Sequence, residues 1–297
     1  MIVSSFKKLP LRQLDFLFPL RVGTACLAGL AYYTLGDDFK LFYTFDGLVD
    51  YTLLDIKKDT LLPGIQAIEK TIDNKHFYQG LSFTYYSLAG LLAIGFATPL
   101  VACILLLLHA CIFTAVPLFS YGFDYFCQIG LFYCLLFPTY RSYSVDKYLW
   151  KLIPASTPTL YRCQRILQIH LSIVYFFNGL NKAFGSSWWN GQALWKALHL
   201  PYFNSAQWDV GFLPHWLLSA GGILVLLLEI AYPLNLLLRR LQEPFIGSII
   251  ILHLLISIFL GLSLFSLAMI LLNYCAWFHQ TRKHINPNYQ SPKVCRE

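Results

Sequence analysis

Of 297 residues, 57% are hydrophobic, 17% are aromatic and only 12% are charged. That balance excludes an ordinary soluble domain and describes a chain consumed by membrane spans and short turns, one membrane domain over residues 1–297. The net charge of +7 gathers at the ends of the apolar stretches, where topology accounts for it, so a lipid bilayer is the expected partner and nucleic acid is not.

The first 15 residues carry Lys7, Lys8 and Arg12 against Asp15, a cytoplasmic flank. Phe16 to Leu35 follows as the first span, with Arg21 just inside it; no small-residue cleavage site follows, so it does not read as a signal peptide. Residues 36–78 hold seven aspartates and Glu69 against five lysines. This acidic segment reads as an extracytoplasmic loop of short amphipathic pieces. Two spans, Tyr78 to Phe96 and Pro99 to Phe119, then form a hairpin, and a fourth, Tyr121 to Tyr140, returns to the cytoplasm. The next loop, with Arg141, Lys147 and Lys151 against Asp146, is again basic.

Thr159 to Lys182 is the stretch around which the others are organised. Its 24 residues span roughly 36 Å as a helix. Arg165, Gln168, Ser172, Tyr175, Gly179 and Lys182 recur along it at steps of three and four, which makes one polar stripe. Such a stripe cannot face lipid, so it must look into a bundle or a watery cavity. Residues 186–213 follow with Trp188, Trp189, Trp195 and Trp208, a composition suited to an interfacial or re-entrant segment on the outer surface over the stripe's end. His215 to Leu238 is the sixth span, ended by Arg239 and Arg240. Phe245 to Phe278 is too long for one upright span and divides near Gly261 and Ser263 into the seventh and eighth. Residues 279–297 are polar and basic, a cytoplasmic tail. The expected fold is therefore an all-α polytopic bundle of about eight spans with both termini cytoplasmic. Short outer turns suggest a bacterial inner membrane.

Intramembrane ionisable groups are the first functional candidates. Arg165 and Glu229 both count toward the cytoplasmic half and are placed to pair. His109 and His253 lie near mid-span, where a histidine is either a hydrogen-bonded packing residue or a catalytic one. His170 points away from the stripe. Lys182 admits two readings, an ammonium snorkelling to the headgroups or a shielded amine able to act as a base; Asp124 is a candidate partner that would hold it charged. Of the eight cysteines, seven fall in spans and Cys295 in the tail, so no disulfide framework is expected. Cys127 and Cys134, seven apart, read as small packing residues rather than a metal or redox pair. No Gly-rich phosphate loop, Cys-x-x-Cys, His-Glu-x-x-His or nucleophile elbow is present.

The run IVYFFNGLNKAFGSSWWNGQAL, Ile173 to Leu194, resembles the signature of the HTTM proteins, the membrane domain shared with vitamin K-dependent gamma-carboxylase. The matching positions are Tyr175 with Phe176, Gly179, Lys182, Trp188 or Trp189, and Gly191. Weaker matches in the same order are Arg21, the Ser144-Val145-Asp146 turn, Glu229, and His253 with Gly261 and Phe265. The resemblance implies an intramembrane site open to the outer leaflet, with Lys182 as a base, His253 as a second catalytic group and a quinone as a possible cofactor. Arg165, Gln168, Ser172, Tyr175, Glu229 and Trp188 would line the substrate pocket. Two departures point away from vitamin K carboxylation itself. Tyr121-Gly122-Phe123-Asp124 stands where the carboxylase has an asparagine and histidine motif, and these 297 residues hold no large extracytoplasmic domain. Short bacterial members of similar layout serve in maturing secreted peptides. That leaves a peptide-modifying enzyme, or a non-enzymatic subunit that binds a membrane or exported protein or peptide partner, as the two functional expectations, with a transporter third.

Overall fold

The computed structural model describes residues 15–36, 74–114, 121–199 and 213–277. Residues 1–14, most of the acidic 36–78 segment, residues 200–212 of the Trp-rich segment and the 279–297 tail lie outside them. The described residues are helical with no strand. In chain order the helices are α1 (Leu17–Leu35), α2 (Asn74–Ile94), α3 (Thr98–Thr114), α4 (Gly122–Leu136), the short α5 (Val145–Leu149), α6 (Thr157–Ala183), α7 (Ser186–Trp189), α8 (Gln192–His199), α9 (His215–Ala231), α10 (Gln242–Leu260) and α11 (Ser263–Trp277).

Local chemistry sets the ends. Ser156 caps α6, its Oγ accepting from the Thr159 amide, with Pro158 in the first turn where no N–H is needed. α4 stops before Phe137-Pro138 rather than running to Tyr140, because the residue ahead of a proline is pushed out of the helical region. α9 likewise gives way to a 3-10 turn over Tyr232–Leu236, where Pro233 lacks the N–H to continue. Gly261 at φ +67° separates α10 from α11, a left-handed position that glycine adopts without a Cβ clash.

Two helical stretches are long and apolar enough to cross a membrane, His215–Leu236 and Gln242–Leu260; Thr98–Phe113, Gly122–Leu136 and Ser263–Trp277 are apolar but shorter. The helices share two cores. One joins α1, α2, α3 and α4 through Ala28, Tyr85, Leu92, Ala102, Leu105 and Leu131. The other joins the start of α1 to α4, α6, α10 and α11 through Leu17, Leu20, Leu167, Leu171, Ile249 and Leu272. α1, α4 and α11 contribute to both and form the seam. Cys127 and Cys134 are buried free thiols in the first core, and among the described residues no group of His, Cys, Asp or Glu is placed to hold a metal ion.

Buried polar residues of α1 and α5 hold the α2–α3 turn. Arg21, fully buried, donates to the carbonyls of Thr139 (2.7 Å) and Tyr143 (2.5 Å). The Asp146 carboxylate takes the amides of Ala97 (2.7 Å) and Thr98 (2.8 Å) and the Thr98 hydroxyl (2.7 Å). Gly95, at φ +76°, lies between the two groups; a Cβ there would meet the Ser144 Cβ at 2.5 Å and the Arg21 Cζ at 2.8 Å. Arg21 and the Ser144–Asp146 turn, distant in sequence, thus lock the α2–α3 turn in place.

Candidate functional site

α6 and α9 run antiparallel, and the chain beyond α6 stays against α9. A Cβ on Gly222 would lie 2.3 Å from the Trp188 carbonyl oxygen, and Gly191, at φ +77°, abuts Leu218 and Ser219. α7 and α8 therefore pack along the first half of α9. This register brings Glu229 level with the last turn of α6, where a Cβ on Gly179 would come 2.8 Å from the Glu229 Cβ.

Glu229 consequently pairs with Lys182, at 2.5 Å from Nζ to Oε1, and not with Arg165. Asn178 Nδ2 also reaches Oε1, at 3.4 Å. The Lys182 ammonium stands 4.8 Å from the centroid of the Trp188 ring, a cation–π contact that covers the pair from one side. The side chains are 22% and 7% exposed, so the pair is screened from solvent. Glu229 Oε2 is buried without a hydrogen-bond partner among the described residues.

Beneath this pair lies a second polar group. The Tyr175 hydroxyl is 2.7 Å from His253 Nε2 and receives Asn273 Nδ2 at 2.8 Å. Asn273 Nδ2 also donates to the Met269 carbonyl, while its Oδ1 accepts from the Tyr232 hydroxyl at 2.7 Å. That hydroxyl accepts in turn from Trp277 Nε1 at 2.7 Å. The Tyr175 and Tyr232 rings stack with centroids 4.1 Å apart. Four elements, α6, the turn after α9, α10 and α11, meet at this network, and His253 Nδ1 is its one buried nitrogen left without a partner.

The expected pocket residues divide between this place and another. Lys182, Glu229, Trp188, Tyr175 and His253 gather around the last two turns of α6. Arg165 lies 17 residues before Lys182, roughly 25 Å down the helix, and hydrogen-bonds Gln168 at 3.3 Å. Gln168 and Gln164 donate to the carbonyls of Ala276 (2.7 Å) and Cys275 (3.1 Å) in the last turn of α11. Ser172 returns its hydroxyl to the Gln168 carbonyl. The lower stripe is thus interhelical adhesive, the ordinary use of amides between apolar helices. Asp124 accepts the Tyr121 amide at the start of its own helix and is not the partner of Lys182. His109 and His170 bond the hydroxyls of Tyr85 (2.7 Å) and Tyr133 (2.5 Å), packing roles for both.

Asn178, Tyr232, Asn273 and Trp277 are the members of the site that sequence reasoning missed. Asn273 carried a usable signal, a lone amide in an otherwise apolar helix whose side chain must find partners. Tyr232 and Trp277 carried none, since an aromatic near a helix end is ordinary. Compared with known protein families, with curated proteins and with solved structures, the chain finds no match.

Proposed function

We propose that this chain is a multi-pass membrane protein of about eight spans, similar to the HTTM proteins, in a bacterial inner membrane. It acts as a carboxylase-like or peptide-modifying enzyme with Lys182 as its base. The observation that carries this reading is the Lys182–Glu229 pair, shielded by Trp188 and set directly above the Tyr175–His253 network. A lysine needed only for snorkelling would extend toward headgroups and leave its carboxylate elsewhere. Here the side chains are 22% and 7% exposed and Trp188 stands over the ammonium, so the cost of holding the two charges is high.

That cost supplies the chemistry. In a medium of low polarity, passing the proton from Lys182 Nζ to Glu229 Oε1 converts an ion pair into a neutral amine beside a carboxylic acid, with no charge left to desolvate. The free amine then removes a proton from an acidic O–H, N–H or C–H of a bound substrate, and Glu229 stores the proton that Lys182 gave up. Trp188 and the Gly179 contact hold Nζ in place.

The protein is purified in nanodiscs as wild type and as Lys182→Ala, and co-purified small molecules and peptides are identified by mass spectrometry. A substrate enriched on the alanine variant, with a modified form on the wild type, is the expected result. The same ligands on both, with a stoichiometric protein partner, would overturn it. That outcome corresponds to the second reading, an assembly or maturation subunit, which is favoured by one observation: Phe184, Trp189, Trp195 and Trp216 form exposed aromatic surface around α7, α8 and the start of α9, of the kind that seats a partner.

A further inference from the structure

The short helix α5 ends in a way that breaks a local rule. The Leu152 amide closes it by returning to the Lys147 carbonyl at 3.0 Å, with Lys151 between them at φ +48°. This is the left-handed position at a helix end that favours glycine, because a Cβ there crowds the next carbonyl. Among the described residues only Ala97 is a second non-glycine at positive φ, and its amide is held by Asp146. The Lys151 side chain is exposed, with no hydrogen-bond or carboxylate partner among the described residues. A lysine kept where glycine fits better marks a side chain needed for its charge.

Its surroundings say what that charge faces. From Thr139 to Arg162 the bases are Arg141, Lys147, Lys151 and Arg162, and the sole acid is Asp146. The Asp146 carboxylate is buried on the Ala97 and Thr98 amides, so the outward face of the segment is cationic. Beside the bases, Leu149, Trp150 and Ile153 are 54%, 73% and 80% exposed. Arg21, on the carbonyls of Thr139 and Tyr143, and Asp146, on the α2–α3 turn, fix the base of the segment. Its apolar tip is thereby held outward and not folded onto the bundle. Resting on the multi-pass arrangement proposed above, we infer that residues 147–153 are an anchor for an anionic phospholipid leaflet. Leu149, Trp150 and Ile153 enter the acyl boundary, and Arg141, Lys147 and Lys151 each face the headgroup layer. Apolar side chains interleaved with cations complement a surface that is oily beneath and anionic above. An acidic protein partner would have to offer both properties at the level where α4 ends and α6 begins, which in a spanning bundle is the level of the headgroups.

The test places a nitroxide at Ile153→Cys in the cysteine-free full chain, in nanodiscs of phosphatidylcholine with or without phosphatidylglycerol. Accessibility to dissolved oxygen and to a water-soluble nickel chelate separates lipid-immersed label from water-exposed label. With phosphatidylglycerol present the label is expected to be immersed. Lys147→Gln and Lys151→Gly should each lower the ratio of immersed to exposed label about fivefold, and so should omitting the anionic lipid. Lys151→Gly should nevertheless melt no lower than its parent in phosphatidylcholine, because glycine suits the turn. A nickel-accessible label in both lipids, immersion indifferent to phosphatidylglycerol and to the lysines, or a co-purifying protein that covers the label would overturn the inference. A second nitroxide at Ile169→Cys, exposed on α6, reports the span itself. Label exposed to water there would end the multi-pass reading and this inference with it. Ile169 label in lipid beside Ile153 label in water would end this inference alone. None of these readouts depends on Lys182 acting as a base.

Discussion

Removing one half of the Lys182–Glu229 pair should cost far more than removing both. Glu229→Leu leaves the Lys182 ammonium facing an apolar surface and the Trp188 ring, and breaking a buried pair in this way costs ~3–5 kcal/mol. The side chains are 22% and 7% exposed, so Lys182 relieves part of its penalty by reaching toward solvent, which puts the expected loss near the lower end, about 3 kcal/mol. For a chain of this size each kcal/mol moves Tm by roughly 2–3 °C, giving a drop of ~6–9 °C. Lys182→Met alone strands the carboxylate, whose Oε2 already lacks a partner, and should cost at least as much. The double variant, with a thioether and an aliphatic chain of similar bulk, should return to within ~1 kcal/mol of wild type, since hydrophobic replacement of a buried pair is often neutral. Thermal unfolding in nanodiscs, followed by tryptophan fluorescence, completes the cycle. Additive losses, with a coupling below ~0.5 kcal/mol, would mean that the two charges do not interact and would refute the geometry on which the site rests.

Gly222→Ala places a methyl within 2.3 Å of the Trp188 carbonyl, so α7 must move from α9; the expected cost is ~1–3 kcal/mol, read as a lower Tm. Asp146→Asn exchanges an acceptor of three hydrogen bonds for a group that presents N–H to one of its donors, and should lose ~1–3 kcal/mol by the same assay. Tyr232→Phe removes the acceptor for Trp277 and the donor to Asn273. It should destabilise by ~2–4 kcal/mol for two orphaned buried groups, and its effect should be strongly non-additive with Tyr175→Phe. In a cysteine-free background, single cysteines at Tyr148 and Asn190 should react with impermeant maleimide from opposite sides of the membrane. Labelling from the same side would contradict the multi-pass arrangement.

Sequence alone was enough for whatever depends on local pattern. The apolar stretches that become α1, α9, α10 and α11, the break at Gly261 and the polar stripe of α6 are all legible because helical periodicity and the cost of unpaired backbone in hydrocarbon act residue by residue. The same reasoning singled out Lys182, Glu229, Tyr175 and His253, since polar side chains in apolar helices are too costly to be idle. It could not say which of them meet. Counting depth from the helix ends put Glu229 beside Arg165, because that count takes each helix to start at the surface. The structure lets α7 and α8 continue down the flank of α9, through the close approaches at Gly191 and Gly222. That offset slides Glu229 up to Lys182. The stripe was divided in the same way: Gln164 and Gln168 find the carbonyls at the end of α11, and only the two upper turns are left to face Tyr232, His253 and Asn273. Periodicity specifies which face of a helix is polar. Register between helices far apart in sequence is set by side-chain size and backbone approach across their interface, and only the folded chain decides that.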